Sequence, residues 1–307
     1  MLSNLIRPAR LHPGDVVRVV APSGPVLADA FAAGLAVLSA RYDVRYDPAI
    51  LENRHGYLAA PDDERLSALV AALEDREARA LFMGRGGYGL LRIAARLDRA
   101  LLRRHAKPMV GFSDGTVLLA VAARAGVASI HGPVVSQLGR LPDEDRSTLF
   151  ALLESTEPRT LLTGLEALRP GSARGPLVGG NLEVFSRLLG TPLLPDLEGA
   201  VLFFEDVGER PYRIDRLLTH LELAGVFSAV AGVVVGELVA CDEPADSRVS
   251  SPPVMDVVRE RLSRLSVPVV LGAPFGHGRR NVALPYGATV VLDAQAGSLT
   301  ALEAAVS

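Results

Sequence analysis

Residues 107–126 read KPMVGFSDGTVLLAVAARAG, and this stretch decides which fold we expect. Its apolar start, 108–112, is long enough for a buried strand, whereas 116–125 is rich in Ala, Leu and Val, as helices are. A G-x-S-x-G pattern, 111–115, lies between the two elements. That is the position of a nucleophile elbow, in which a serine stands exposed on a sharp turn between strand and helix. A plain connection whose serine caps the helix is the alternative.

Strands and helices are predicted to alternate on the N-terminal side of this stretch. Apolar runs at 15–21, 42–46 and 78–83 indicate strands, and segments 29–39 and 65–75 have the composition and spacing of helices. This alternation predicts an α/β fold with a doubly wound, mostly parallel sheet of the flavodoxin or Rossmann type. Ligands bind such sheets at the carboxyl ends of the strands. Four loops are predicted at that edge: 22–25, 84–89, 111–115 and 131–133.

The composition changes after about residue 154. The segment 156–176 is poor in aromatic residues and rich in Gly and Pro, so we predict a crossover linker there. It would join an N-terminal α/β domain, 1–155, to a C-terminal mixed β/α domain, 177–307. The first domain would contain the candidate nucleophile, and the second would contain the other candidate catalytic residues.

The composition bounds the possible functions. Of 307 residues, 49% are hydrophobic, and the net charge of −3 gives no basis for nucleic-acid binding. The single cysteine, Cys241, excludes a disulfide framework, and no paired-histidine motif indicates a metal site. No apolar run reaches the roughly 18 residues of a membrane span, and the stretch 1–15 lacks the apolar core of a signal peptide. We therefore expect a cytoplasmic protein that needs no metal or other cofactor and binds no membrane.

A serine nucleophile needs a base that accepts its proton and an acid that orients the base. Among the histidines, His277 lies between two glycines in PFGHGRRN, and His131 ends a predicted strand beside the elbow. Glu205 and Asp206 end another predicted strand, where a carboxylate that only caps a loop is the alternative. The order Ser113, Glu205, His277 matches the chain order of α/β-hydrolase triads. Alternation along the strand should send the two adjacent acids to opposite faces.

The loop GRGGYG, 84–89, supports two different hypotheses. It is a G-x-G-x-x-G pattern between a strand and a helix, as in dinucleotide-binding folds, so a nucleotide-binding module is one hypothesis. However, the loop follows the third predicted strand rather than the first, and no acid is well placed to bind a ribose. The other hypothesis is electrostatic, because backbone N–H groups of a glycine loop beside Ser113 can stabilise an oxyanion.

Six motifs follow one another along most of the chain: RGGYG at 85–89, GFSDGT at 111–116, HGP at 131–133, GGNL at 179–182, EDVGERPYRIDR at 205–216 and PFGHG at 274–278. Together and in this order they resemble the LD-carboxypeptidase family of serine peptidases. That family includes muramoyl-tetrapeptide carboxypeptidases and microcin-immunity proteins. The resemblance implies that Ser113 is the nucleophile, His277 the general base and Glu205 the acid. The implied oxyanion hole consists of backbone N–H groups: Asp114 with Gly86 or Gly87.

The resemblance also implies a substrate class. Family members cleave the amide between an L-configured centre and a C-terminal D-amino acid in cell-wall peptides. The immunity branch instead cleaves peptidyl or aminoacyl nucleotides, often with a Trp stacked on the base, and this chain has no Trp. We therefore expect a homodimeric serine carboxypeptidase that acts on murein tetrapeptide during cell-wall recycling, with a small peptide as its partner. Arg suits a terminal carboxylate. The predicted substrate-binding residues are Arg85, Asn181, Arg279 and Arg280.

Overall fold

Two β-sheets with helices packed around them make up the structure. The computed structural model describes residues 5–247 and 250–307, so the first four residues of the stretch 1–15 lie outside it. The strands are β1 (Val16–Val20), β2 (Asp43–Arg45), β3 (Ala80–Met83), β4 (Met109–Gly111), β5 (Ser129–His131), β6 (Arg159–Leu162), β7 (Glu166–Arg169), β8 (Ser172–Asn181), β9 (Val201–Val207), β10 (Gly232–Val239), β11 (Val269–Leu271), β12 (Leu284–Tyr286), β13 (Thr289–Asp293) and β14 (Ser298–Ala301). The α-helices are α1 (Ala28–Ser39), α2 (Asp62–Glu74), α3 (Leu90–Ala94), α4 (Arg99–Arg104), α5 (Thr116–Arg124), α6 (Val135–Leu138), α7 (Asp143–Glu154), α8 (Leu182–Ser186), α9 (Pro211–Leu223), α10 (Val226–Ala229) and α11 (Val254–Leu262).

The first sheet has the strand order β12-β5-β4-β3-β1-β2. Its five N-terminal strands are all parallel, because each is followed by a crossover that packs helices on the sheet. Read from the other edge, their order is 2-1-3-4-5, which is that of flavodoxin-like folds. The predicted doubly wound parallel sheet is therefore confirmed.

A strand from the C-terminal half completes this sheet. β12 pairs antiparallel with β5, with Leu284 opposite His131, and is buried along its whole length. It covers an edge of β5 that would otherwise expose unpaired backbone groups. A strand from the predicted C-terminal domain therefore belongs to the sheet of the predicted N-terminal domain. The local sequence of β12, LPY, does not indicate that it pairs with β5.

The second sheet has the order β6-β14-β13-β8-β9-β10-β11-β7. The four strands β8 to β11 run parallel to one another, whereas every pairing outside this group is antiparallel. This mixed sheet confirms the mixed β/α architecture expected for the C-terminal half.

The segment 156–176, predicted as a crossover linker, consists largely of strands. It contains β6, β7 and the start of β8, all of which belong to the second sheet. Gly164 and Gly171 have φ of 73° and 129° and make the turns between these short strands. The glycines that suggested a linker are thus the turn residues of strands too short to show a clear alternation.

The two sheets meet around α5, the helix that follows the elbow. Its residues 116–123 are all buried, and it packs against β4 and β5 of the first sheet and β8 of the second. Thr116 Oγ1 accepts the backbone N–H of Asn181 at 3.0 Å, which joins the start of α5 to the end of β8. A Cβ at Gly180 would overlap Thr116, so the close approach requires glycine. Across the described residues, no helix is long and apolar enough to cross a bilayer.

Candidate active site

The elbow predicted at 111–115 connects β4 to α5. Ser113 begins a short 3-10 turn, Ser113–Gly115, that leads directly into the helix. Its φ is 62°, a left-handed conformation that costs a residue with a Cβ of order 1–3 kcal/mol. Gly115 is the residue that precedes α5, and no side chain caps this helix, so the capping role considered for Ser113 is wrong. The strained turn leaves the hydroxyl half-exposed at the edge of the first sheet.

Both glycines of the G-x-S-x-G pattern lie against one side chain. A Cβ at Gly111 would lie 2.9 Å from Met83 Sδ, and one at Gly115 would lie 2.7 Å from the same atom. Met83 ends β3, so the side chain at the end of the neighbouring strand fills the space beneath the turn. A Cβ at either position would therefore require the flexible Met83 side chain to move.

The glycine loop 84–89 lies against the candidate nucleophile. A Cβ at Gly86 would lie 2.8 Å from Ser113 Cβ and 2.9 Å from its Oγ. The Gly86 carbonyl accepts the N–H of Gly24 at 3.0 Å, so the trans peptide turns the N–H of Gly87 away from Gly24. Gly87 has φ of 102°. The structure thus brings Gly86 to Ser113, and Gly87 is the next residue of the same loop.

Asp114 links the elbow to the same loop. Its carboxylate Oδ2 accepts the N–H of Leu90, the first residue of α3, at 2.9 Å. The side chain is only 2% exposed, and this burial raises the pKa of the Asp114 carboxyl. The hydrogen bond therefore holds the end of the glycine loop at a fixed position relative to Ser113.

A buried acid and a half-exposed histidine form a pair beside the elbow. Glu205, at 0% exposure, places Oε2 2.7 Å from Nδ1 of His277. The His277 ring packs on Phe112, with ring centroids 4.3 Å apart, and Phe112 directly precedes Ser113. Gly276, with φ of 138°, provides room for the carboxylate, because a Cβ there would lie 3.1 Å from Oε2. Glu205 near the end of β9 and His277 in the loop after β11 therefore meet beside the turn that contains Ser113.

His131, the other histidine considered, is unsuited to act as the base. It is completely buried among aromatic rings, with Phe203 and Phe112 at 4.9 and 5.4 Å between centroids. Burial, with a smaller effect of nearby His277, lowers the pKa of His131 to about 3. The ring packs at the contact between the two sheets.

Three residues that sequence reasoning missed hold the loop of His277. Arg140 donates to the carbonyls of His277 and Gly278 at 3.1 and 2.7 Å. Gln137 donates to the carbonyl of Gly276 at 3.1 Å and accepts from Asn281 at 2.8 Å. Gln137 and Arg140 lie in α6 and just after it, whereas Asn281 belongs to the loop itself, and no local pattern identifies them as partners.

Asn181, predicted to bind substrate, is buried and makes its side-chain hydrogen bonds within the protein. Its side chain is 5% exposed, and Nδ2 donates to Glu205 Oε1 at 3.3 Å and to Asp206 Oδ1 at 3.0 Å. Its Oδ1 accepts the N–H of Val184 and so caps α8. With both donors and the acceptor used inside the protein, this side chain orients the acid rather than contacting a substrate.

Asp206 is buried next to the candidate catalytic acid. Its carboxylate accepts backbone N–H groups of Val207 and Glu183 at 2.7 and 2.9 Å. Asp206 therefore holds the backbone at the end of β9 and at the start of α8. Burial, followed by repulsion from Glu205, raises the pKa of Asp206 from 3.8 to about 7.

We expect Asp206→Asn to change the pH dependence of stability. The folded protein binds more protons than the unfolded chain between pH 3.8 and about 7, so wild-type stability falls as the pH rises through that window. The amide removes the titration; it has one oxygen where the carboxylate accepts with two, so the variant loses stability at both pH values and only the pH dependence is compared. Urea unfolding of both proteins at about pH 5 and about pH 8 should therefore show a smaller loss for the variant. Equal losses would contradict the raised pKa.

The three candidate arginines occupy different environments. Arg280 Nε donates to buried Asp145 Oδ1 at 2.7 Å, and the same guanidinium lies 3.1 Å from Glu144. Arg280 thus anchors the loop of His277 on α7 and is not available for a substrate carboxylate. Arg85 is half-buried and donates to the Pro25 carbonyl at 2.7 Å. Arg279 is exposed, two residues beyond His277.

The site has the groups that acyl transfer requires: a strained serine, an acid–histidine pair and a glycine loop with backbone donors. No group of three or more His, Cys, Asp or Glu side chains that could hold a metal occurs in the part of the chain that the structure describes.

Comparison with known proteins shows the family of the chain. Residues 17–132 match the family model of the LD-carboxypeptidase N-terminal domain, and residues 174–292 match that of the C-terminal domain. A Bacillus subtilis protein named a probable murein peptide carboxypeptidase is 36% identical, over 98% of this chain and 95% of its own length. The fold and these matches define a serine peptidase. The chain belongs to the LD-carboxypeptidase family.

Two solved structures are similar along nearly the whole chain. A muramoyltetrapeptide carboxypeptidase from Oxalobacter formigenes is 30% identical with a TM-score of 0.80, over 93% of this chain and 97% of that one. A mutant of a microcin C7 self-immunity protein, in complex with adenosine monophosphate, has a TM-score of 0.89 over 98% and 100% of the two chains. At 20% identity the second likeness extends to the fold alone.

Proposed function

We propose that the protein removes the C-terminal D-amino acid from murein tetrapeptide by a Ser113–His277–Glu205 triad. The observation that carries this proposal is the buried Glu205 carboxylate 2.7 Å from Nδ1 of His277, beside the strained Ser113. The murein-peptide names of the relatives support the substrate class.

The proposed reaction follows from these positions. Nδ1–H of His277 donates to Glu205, so Nε2 is free to accept the proton of Ser113 as its Oγ attacks the scissile carbonyl carbon. Backbone N–H groups of Asp114 and of Gly86 or Gly87 stabilise the resulting oxyanion. The C–N bond then breaks, and the imidazolium gives its proton to the leaving amine of the D-amino acid. Water, deprotonated by His277, hydrolyses the acyl-enzyme and releases Ser113.

The experiment incubates the protein with the free-acid tetrapeptide and, in parallel, with an aminoacyl-nucleotide mimic. Mass spectrometry should detect the tripeptide and free D-alanine from the first substrate. Faster turnover of the mimic would favour the microcin-immunity alternative, for which the likeness in fold is the support. Tight binding of NAD or ATP without any hydrolysis would favour the nucleotide-binding module. Membership of a peptidase family favours an enzyme over such a module.

Activity is expected to survive a strong chelator, because the proposed mechanism uses no metal. The measurement compares turnover before and after dialysis against EDTA. A loss of activity that added zinc restores would contradict the serine mechanism.

Arg279 is our candidate for the terminal carboxylate of the substrate. Because His277 must protonate the leaving amine, the D-residue has to lie near His277, where Arg279 is exposed. Arg279→Ala should raise KM for the free-acid peptide by more than it raises KM for the C-terminal amide. Equal effects on both peptides would remove this role. The matched control is Arg264→Ala, which removes an exposed arginine just after α11. This arginine pairs with Glu260.

A cytoplasmic location and a homodimeric assembly stay predictions. Cell fractionation and light scattering of the purified protein would test them.

A further inference from the structure

Arg65 on α2 is a buried arginine that the reaction proposed above does not use. Its side chain is 0% exposed, whereas arginines are almost never fully buried unless their charge is paired. Each of the three guanidinium nitrogens donates a hydrogen bond: Nε to the carbonyl of Ala60 at 3.0 Å, Nη1 to the carbonyl of Pro22, and Nη2 to Asp62 Oδ1 at 2.5 Å. The guanidinium is therefore fixed by three separate partners.

Two loops at the carboxyl edge of the first sheet meet at this guanidinium. Pro22 begins the loop 22–25, which comes after β1. Gly89 ends the loop 84–89, which follows β3, and a Cβ at Gly89 would lie 2.6 Å from Arg65 Nη1. The guanidinium thus lies directly against the backbone of the second loop and leaves no space for a side chain there.

The same two loops are hydrogen-bonded to each other beside the candidate nucleophile. The N–H of Gly24 donates to the carbonyl of Gly86 at 3.0 Å, and a Cβ at Gly86 would lie 2.9 Å from Ser113 Oγ. Arg65 therefore holds the first loop at its start and the second loop at its end, and the bond between the two loops lies next to Ser113.

We propose that Arg65 is a positioning residue of the oxyanion hole: it keeps the loop 84–89 where backbone N–H groups of Gly86 or Gly87 can stabilise the oxyanion. This role rests on the proposed function. The donors of an oxyanion hole have to be in place before the charge develops, because their contribution depends on preorganisation. A displacement of about 1 Å, caused by a change far from the reacting atoms, can cost about 10²-fold in rate. A buried side chain that fixes two loops at once is suited to prevent such a displacement.

The charge of Arg65 acts on the elbow as well. Burial raises the pKa of the Asp114 carboxyl, and attraction to the positive charge of Arg65 acts in the opposite direction. The Asp114 carboxylate accepts the N–H of Leu90, the residue directly after Gly89. Arg65 therefore favours the charged form of the acid that holds the start of α3 on the elbow.

Lysine cannot reproduce this arrangement. Its ammonium is a compact charge on a flexible stem, whereas the planar guanidinium donates in several fixed directions. Arg65→Lys keeps the buried charge and loses the fork that holds Pro22, Ala60 and Asp62 together. We expect kcat for the tetrapeptide to fall by about 10- to 100-fold with little change in KM, because the loop moves while substrate binding uses other contacts. The matched control is Arg96→Ala, which removes an exposed arginine paired with Asp63 of the same helix.

Two adjacent acids of α2 provide a test that leaves Arg65 unaltered. Asp62 accepts from Arg65 Nη2 and from Arg92 Nε, whereas Asp63 accepts from Arg96. Both acids lie in the first turn of α2, so either loss of charge removes a similar interaction with the helix dipole. Asp62→Asn should lower kcat by a smaller factor than Arg65→Lys does, and Asp63→Asn should leave kcat unchanged.

Labelling of Ser113 by a fluorophosphonate gives a readout that does not need the peptide. Ser113 Oγ forms a bond to phosphorus, its proton goes to His277, fluoride leaves, and the phosphoryl oxygen takes the place of the oxyanion. Mass spectrometry measures the labelling rate, alongside kcat, KM and the melting temperature, for wild type and the four variants. Arg65→Lys and Asp62→Asn should label more slowly than wild type, whereas the two controls should label at the wild-type rate.

A wild-type kcat and labelling rate for Arg65→Lys, or an effect on KM alone, would overturn the positioning role. Equal kcat values for Asp62→Asn and Asp63→Asn would also overturn it, and this pair decides the question if Arg65→Lys does not fold. A wild type that is labelled at Ser113 but releases no D-alanine would contradict the proposed function, while slow labelling of Arg65→Lys would still support the positioning role. A wild type that is neither labelled nor active would contradict both.

Discussion

Glu205→Gln is expected to lower kcat by about 10⁴-fold, as the acid-to-amide change does in the serine-protease template. The physical reason is the tautomer of His277. In wild type, Oε2 accepts Nδ1–H, while Oε1 accepts from Asn181 Nδ2 at 3.3 Å. A glutamine that keeps its oxygen towards the Asn181 donor must turn its NH2 group towards Nδ1. That arrangement places the imidazole proton on Nε2, which can then no longer accept the proton of Ser113.

The matched control for this prediction is Asp206→Asn. Asp206 is equally buried and shares Asn181 with the catalytic candidate, but it accepts only from Asn181 and from backbone N–H groups. We expect it to keep a kcat within about tenfold of wild type, because Asp206 holds the backbone at the start of α8 and the end of β9 rather than His277. Its melting temperature should fall, because the amide has one oxygen in place of two acceptors. Steady-state kinetics and melting temperatures of both variants decide the question. A dead Asp206→Asn with a nearly normal Glu205→Gln would reverse the assignment of the acid.

The elbow is the part of the site that local sequence describes best. Strand, G-x-S-x-G and helix all lie within residues 108–125, so one short stretch determines both the turn and the position of Ser113. The packing reason for the glycines does not lie within this stretch. It depends on Met83, nearly thirty residues earlier, which the fold brings under the turn.

The directions of the two adjacent acid side chains do not follow from the alternation along a strand alone. Alternation along β9 predicts that Glu205 and Asp206 point to opposite faces, yet one amide, that of Asn181, contacts both. The register between β9 and β10 shifts between Val235 and Leu238, directly beside Glu205. A bulge at this position increases the local twist of the strand pair and changes the directions of the side chains beside it. The position of the bulge depends on the partner strand, which the sequence of β9 does not reveal.

Long-range partners are the other part that the sequence alone does not provide. Glu205 and His277 are 72 positions apart, and the resemblance to a family, rather than spacing, connected them. The substrate role predicted for Asn181 came from the same resemblance. Its burial and its three internal hydrogen bonds depend on how β8, α8 and β9 pack together.

Gly86→Ala is expected to lower kcat by about 10²–10³-fold, the cost of removing one oxyanion-hole donor. The added Cβ would lie 2.8 and 2.9 Å from Ser113 Cβ and Oγ, closer than non-bonded carbon atoms approach. Either the loop or the serine must therefore move. A movement of the loop carries the N–H groups of Gly86 and Gly87 away from the position of the oxyanion. Binding of substrate uses other contacts, so KM should change much less than kcat.

Two further glycine variants separate this effect from backbone strain. Gly190→Ala introduces a Cβ into open space at φ of 74°, far from the loop in sequence, and should lower the melting temperature without changing kcat. Gly87→Ala combines a φ of 102° with a Cβ 3.2 Å from Gly24 Cα, so it should fold less stably and also turn over slowly. Burst kinetics with an activated ester would show whether acylation is the slowed step. A Gly86→Ala variant with wild-type kcat would remove the 84–89 loop from the oxyanion hole, and the donors would then have to come from the elbow itself.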